Sequence, residues 1–87
     1  MDYLHADYYL DRGDIVQVEI DHQANVMLLD ESNYQNYRNH RGFQHFGGHY
    51  DHTPINIPAP STGRWHLVID LGGYSGTIRH SERIIKR

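Results

Sequence analysis

Apolar and polar residues alternate through most of the chain, at a period of two. "DIVQVEID" places Val16, Val18 and Ile20 on one face and Gln17, Glu19 and Asp21 on the other. Such a pattern belongs to a half-buried antiparallel strand. "DYLHADYYL" repeats it with Leu4, Ala6 and Tyr8 on one side, and "RWHLVIDL" sets Trp65, Leu67 and Ile69 against His66, Val68 and Asp70. "NVMLLD" is apolar on both faces, Val26 and Leu28 opposite Met27 and Leu29, which predicts a central strand. In "TPINIP" the alternation of Ile55 and Ile57 is bracketed by Pro54 and Pro58. Proline donates nothing to a ladder, so this is an edge strand or a strand with clipped ends. "TIRHSERII" supplies one or two last short strands. "DRGD", "PAPSTG" and "GGYSG" (residues 72–76) read as turns, with Gly13 free to take a positive φ.

One stretch departs from this period. In "ESNYQNYRNH", Ser32 followed by Gln35 suggests a capping box opening one or two helical turns. Tyr34 and Tyr37 then share a side at i, i+3. "HRGFQHFGGHYDH", residues 40–52, follows as a long loop or ragged hairpin. The elements predict an all-β fold over residues 1–87 as a single β domain. Its form is a compact antiparallel β-sandwich (jelly-roll-like) or barrel of six to seven short strands with one short helix.

Composition narrows the function classes. With 87 residues and no cysteine, the core rests on aliphatic and aromatic burial alone, without disulfides or thiolate metal sites. The formal charge of −3 gives no general attraction for phosphate backbones, so no nucleic acid is expected as a partner. The eight histidines outnumber that deficit, so the net charge reverses sign on mild acidification. No run is apolar enough to span a bilayer, and "MDYLHADYYL" is no secretory leader. A soluble, cytoplasmic setting is the expectation.

Candidate chemistry concentrates between residues 34 and 52. His45, His49, Asp51 and His52 offer enough nitrogen and oxygen donors for zinc. Gly47 and Gly48 interrupt them, no HExxH is present, and no regular element brings all four together, so no metal or cofactor is expected. The same segment carries both phenylalanines. Phe43, Phe46 and Tyr50, beside Tyr34 and Tyr37, form an aromatic surface suited to stacking or anchoring, with Arg38, Arg41 and His49 adding polar contacts. The competing account is that the phenylalanines fold back and cap an open end of the sandwich. Trp65 alternates with Leu67 and Ile69 and so belongs to the core. His66 and Asp70 share a face as a His–Asp pair, but Ser61, Ser75 and Ser81 all sit in turn-like contexts without a nucleophile elbow. The acidic pairs Asp11/Asp14 and Asp30/Glu31 lie in turns, where carboxylates are usually solvated. "GGYSG" lacks the lysine of a phosphate loop, and the basic "RHSERIIKR" reads as a short strand ending in a solvated tail.

Three stretches taken together, "MDYLHADYYL", "RGDIVQVEIDHQANVMLLDESNYQNY" and "INIPAPSTGRWHLVIDLGG", resemble a small family of uncharacterised bacterial proteins, the domain-of-unknown-function family numbered eighteen eighty-three. The resemblance covers nearly the whole chain and implies a compact β-sandwich or barrel. Some members resemble amino-terminal partners of TIR signalling domains, which would make the module a sensing or recognition unit. No TIR segment follows Arg87 in this sequence, and the resemblance transfers no catalytic residue. The expected function is therefore a non-enzymatic module binding a protein or small ligand through residues 34–52. The alternatives are a metal-dependent or hydrolytic enzyme built on His45, His49, Asp51 and His52, and a homo-oligomer pairing an edge strand such as residues 53–57.

Overall fold

The computed structural model describes residues 3–71 and 78–86. Among them are strands β1 (Tyr3–Leu10), β2 (Ile15–Ile20), β3 (Ala24–Leu29), β4 (Phe46–Tyr50), β5 (Ile55–Pro58), β6 (Gly63–Asp70) and β7 (His80–Ile85), with helix α1 (Glu31–Arg38) between β3 and β4. Two antiparallel sheets stack face to face. One has the order β1-β6-β3-β4 and the other β5-β2-β7. Between them lies the main core of Leu10, Val16, Val18, Val26, Leu28, Ile55, Ile57, Trp65, Leu67 and Ile69. Each of these lies on the face its alternation assigns, and the all-β sandwich stands.

β3 explains why one strand must be apolar twice over. It lies between β6 and β4, with Val26 and Leu28 in the inter-sheet core. Met27 and Leu29 point the other way, into a second cluster with Val68, Tyr34 and Tyr37. That cluster forms because α1 lies across the outer face of the four-stranded sheet. Both tyrosines of the i, i+3 pair are buried there. β5 is the expected edge strand, four residues long and paired only with β2.

Four local expectations are corrected. The helix cap is Asp30, not Ser32: its carboxylate accepts from the Asn33 N–H at 2.8 Å, so Ser32 falls inside the first turn. Gln35 pairs instead with Glu31 at 2.7 Å. Residues 46–50, expected within a long loop or ragged hairpin, form β4 by pairing with β3 from Ala24–Tyr50 to Leu28–Phe46. Asp14 is not solvated. It is only 1% exposed, accepts from the Asp11 N–H at 2.9 Å and receives the Lys86 ammonium. The C-terminal segment is consequently no free tail, because β7 pairs along all of β2 and Lys86 anchors its end. The "GGYSG" turn lies outside the described residues. No described helix is long and apolar enough to cross a membrane, which leaves β-barrel insertion unaddressed.

Candidate functional site

Two features of the four-stranded sheet carry chemistry. The first is a cleft of about 640 Å³ at one end of the sandwich, where the loop before β4 meets the turn before β6. Leu28 forms its floor; Phe43, Phe46 and Trp65 wall it; Asp30, Asn33, Gln44, His45 and Ser61 supply polar groups at its sides. The loop is pinned rather than loose. The Gln44 N–H donates to the Asn33 side-chain oxygen at 2.8 Å, and the Arg41 N–H to the Asn36 carbonyl at 2.9 Å. Phe43 meets Tyr37 edge to face at 5.2 Å and is half-buried. Opposite it, Trp65 is buried and its Nε1–H donates to the Ser61 carbonyl at 3.0 Å, fixing the turn. Phe46 stands edge to face against Trp65 at 6.0 Å, yet remains 49% exposed. The edge-to-face contact with buried Trp65 thus holds a half-exposed aromatic ring in place at the cleft.

The second feature is a chain of three titratable side chains beneath α1. His66 Nε2 lies 2.7 Å from Glu31 Oε1, and its Nδ1 lies 2.8 Å from His5 Nε2. A carboxylate only accepts, so His66 Nε2 carries a hydrogen. In neutral His66 the Nδ1 is then an acceptor, and His5 must donate to it. The Tyr34 ring stacks on both imidazoles, 4.4 Å from His5 and 4.2 Å from His66. Tyr34 in turn shares a hydrogen bond with Tyr3 at 3.2 Å, and the Tyr37 hydroxyl donates to Asp70 at 2.5 Å. Burial and the neighbouring imidazole His66 hold His5 below the usual histidine range of about 6.5. Hydrogen bonds from Gln35 and then His66 hold Glu31 below the usual carboxylate range.

A family model described as Domain of unknown function (DUF1883) matches residues 1–87, the whole chain. The chain belongs to this family. No curated protein and no solved structure matches it, so the reading of its surface rests on the geometry above.

Within this family member the candidate residues of 34–52 separate into groups. Phe43, Phe46 and His45 line the cleft. Tyr34 and Tyr37 are buried under the helix and hold it to the sheet. Arg38 lies over the Tyr34 ring at 5.8 Å, and Arg41 is exposed. His49 projects from β4 toward Asn25 and Gln23, at 3.2 and 3.4 Å, while Tyr50 packs against the inter-sheet core. Asp51 and His52 pair with each other beyond the strand, at 3.2 Å. Among the described residues no three histidines or acids are grouped to hold a metal ion. His66 and Asp70, read together as a pair, are divided between Glu31 and Tyr37. Sequence reasoning missed His5 and Glu31, whose partnership with His66 spans 61 and 35 positions.

The tyrosine layer makes the protein sensitive to alkali. Burial and the Tyr3 hydrogen bond push Tyr34 up to about 12, and burial with Asp70 pushes Tyr37 well above its usual value of 10.0. The unfolded chain therefore loses these protons first. Stability from the pair is fully present below about pH 10 and is lost as pH rises toward 12. In a phenolate absorbance titration both rings should ionise only as far-UV circular dichroism reports unfolding. Their ionisation on the intact fold would contradict this placement.

Proposed function

We infer that the chain is a recognition module whose ligand seats its apolar ring or side chain on Phe46 in the cleft beside α1. The observation that carries this is Phe46 itself, half exposed, braced against buried Trp65 and surrounded by the polar side chains of Asp30, Gln44, His45 and Ser61. An aromatic anchor with a polar rim suits a planar or aromatic group bearing hydrogen-bonding substituents, on a small molecule or on a protein partner. The pinned loop supports the reading further, because little ordering cost remains to be met on binding.

Trp65 is the chain's single tryptophan and lines the cleft, so its fluorescence reports occupancy. Titration with a panel of indole, phenol and aromatic-peptide probes should perturb that emission for at least one class. Phe46→Ala should abolish the perturbation while leaving stability within about 1 kcal/mol, as expected for a half-exposed ring. Phe43→Ala should cost more, about 1–3 kcal/mol, because its ring also packs on Tyr37. If Phe46→Ala retains every response, or destabilises as severely as a core truncation, the ring is structural and the cleft is not a recognition site.

A further inference from the structure

Among the described residues β1 is the longest edge strand, and it is the one without the usual protection. Eight residues pair with β6 in an unbroken register, and among the described residues no strand pairs with its other side. Natural sheets blunt such edges with proline, lysine, bulges or short strands. The other three edges do so. β5 has four residues, preceded by Pro54 and ending in Pro58, β4 begins "FGG" with Gly47 at φ +103, and β7 carries Arg83 and runs into Lys86. "YLHADYYL" has no proline, glycine, lysine or bulge.

The same strand is complementary to itself. Set antiparallel about Ala6, it faces Tyr3 with Tyr9, Leu4 with Tyr8, His5 with Asp7, and Ala6 with Ala6. This register matches outward residues with outward and inward with inward, as a sheet requires. It also joins an aromatic pair, Tyr3 with Tyr9, and an apolar one, Leu4 with Tyr8, each of which favours pairing. Exposure points to the same edge. Of the three large hydrophobic residues exposed among the described residues, Phe46 belongs to the cleft; the other two are Leu4 at 38% and Tyr9 at 69%, both on β1. Beside Leu4 a small opening of about 90 Å³ is walled by Ala6, Leu67 and Ile69, with His5, His80 and Glu82 at its polar side.

We propose that two copies of this chain join through the free edges of β1, antiparallel about Ala6, making one continuous sheet across the two-fold axis. The partner's Tyr8 covers Leu4 and the opening beside it, and the partner's Tyr9 extends the aromatic layer at Tyr3.

The absence of cysteine makes the test direct. Directly opposed residues of an antiparallel pair lie about 4.5–5.5 Å apart at Cα, within disulfide reach. Wild type should sediment as a concentration-dependent dimer. Ala6→Cys should oxidise to a covalent dimer on a non-reducing gel. Tyr9→Cys should not, because its two copies stand about 20 Å apart in this register. Leu4→Lys should shift sedimentation to monomer with far-UV circular dichroism unchanged. A wild-type monomer at every concentration would overturn the proposal. So would cross-linking of Tyr9→Cys at the rate of Ala6→Cys, or cross-linking through Asn56→Cys on β5 instead.

Discussion

Gly47→Ala should remove a large part of the protein's stability, whereas Gly48→Ala should leave it as stable as before. A Cβ at position 47 would meet the Val26 carbonyl oxygen at 2.3 Å and the Ile57 side chain at 3.1 Å. The first contact is with backbone in the middle of the central strand β3, which cannot step aside without breaking its ladders to β4 and β6. The residue also holds φ at +103, outside the range side chains adopt readily. Backbone strain of about 1–3 kcal/mol adds to the steric term, for a loss of about 3–5 kcal/mol. A small domain commonly holds only about 5–15 kcal/mol in all. At Gly48 an added Cβ meets nothing within 4 Å and no positive φ is required. Urea titrations should show a large fall in midpoint for the first variant and none for the second, with m unchanged. Equal effects at the two positions would contradict the geometry of β4.

This contrast shows where the sequence is legible and where it is not. The strands declare themselves when alternation is strong, as in β2, or when both faces are apolar, as in β3. β4 escapes because its stabilising contribution comes from the neighbour: two adjacent glycines and an exposed phenylalanine carry no strand pattern, and pairing with β3 imposes one. Asp14 escapes for a related reason. A carboxylate in a "DRGD" turn looks solvated until Lys86, 72 positions away, is brought beside it by β7. Phe43 and Phe46 differ by three residues and share a type, yet one leans on Tyr37 and the other stands half in solvent. Which of them stays exposed is decided by where α1 lies, and that is a tertiary fact. Of the histidine-rich segment, Phe43, His45 and Phe46 line the cleft. The imidazole held in an extended hydrogen-bonded chain is His66, which local spacing assigned to Asp70.

His66→Ala should be the most damaging change among the polar residues of the helix–sheet seam, costing about 3 kcal/mol near neutral pH. The ring is 5% exposed, stacks on Tyr34 and bonds to His5 and Glu31 at once, so truncation removes both hydrogen bonds and opens a gap under α1. The variant should also change how stability responds to acid, which a simple cavity would not. In wild type the folded His5 takes up its proton below the usual value of 6.5, because of burial and then the neighbouring His66. The unfolded chain binds protons first, so stability is fully present above about pH 6.5 and is lost as pH falls through the folded His5 value. Glu31, held below its usual 4.5, adds a further loss in stronger acid. Asp7 opposes the His5 shift, and Arg38 reinforces it. At 2.8 Å the two facing imidazole nitrogens accommodate one hydrogen between them, not two. Removing the His66 ring takes away one of the causes that lower His5 and lets it return toward its ordinary value. Urea midpoints measured at about pH 7.5 and about pH 5.5 should fall for wild type and fall less for His66→Ala, which starts lower. An acid slope identical in the two proteins would place the loss of stability elsewhere and leave the imidazole chain as packing alone.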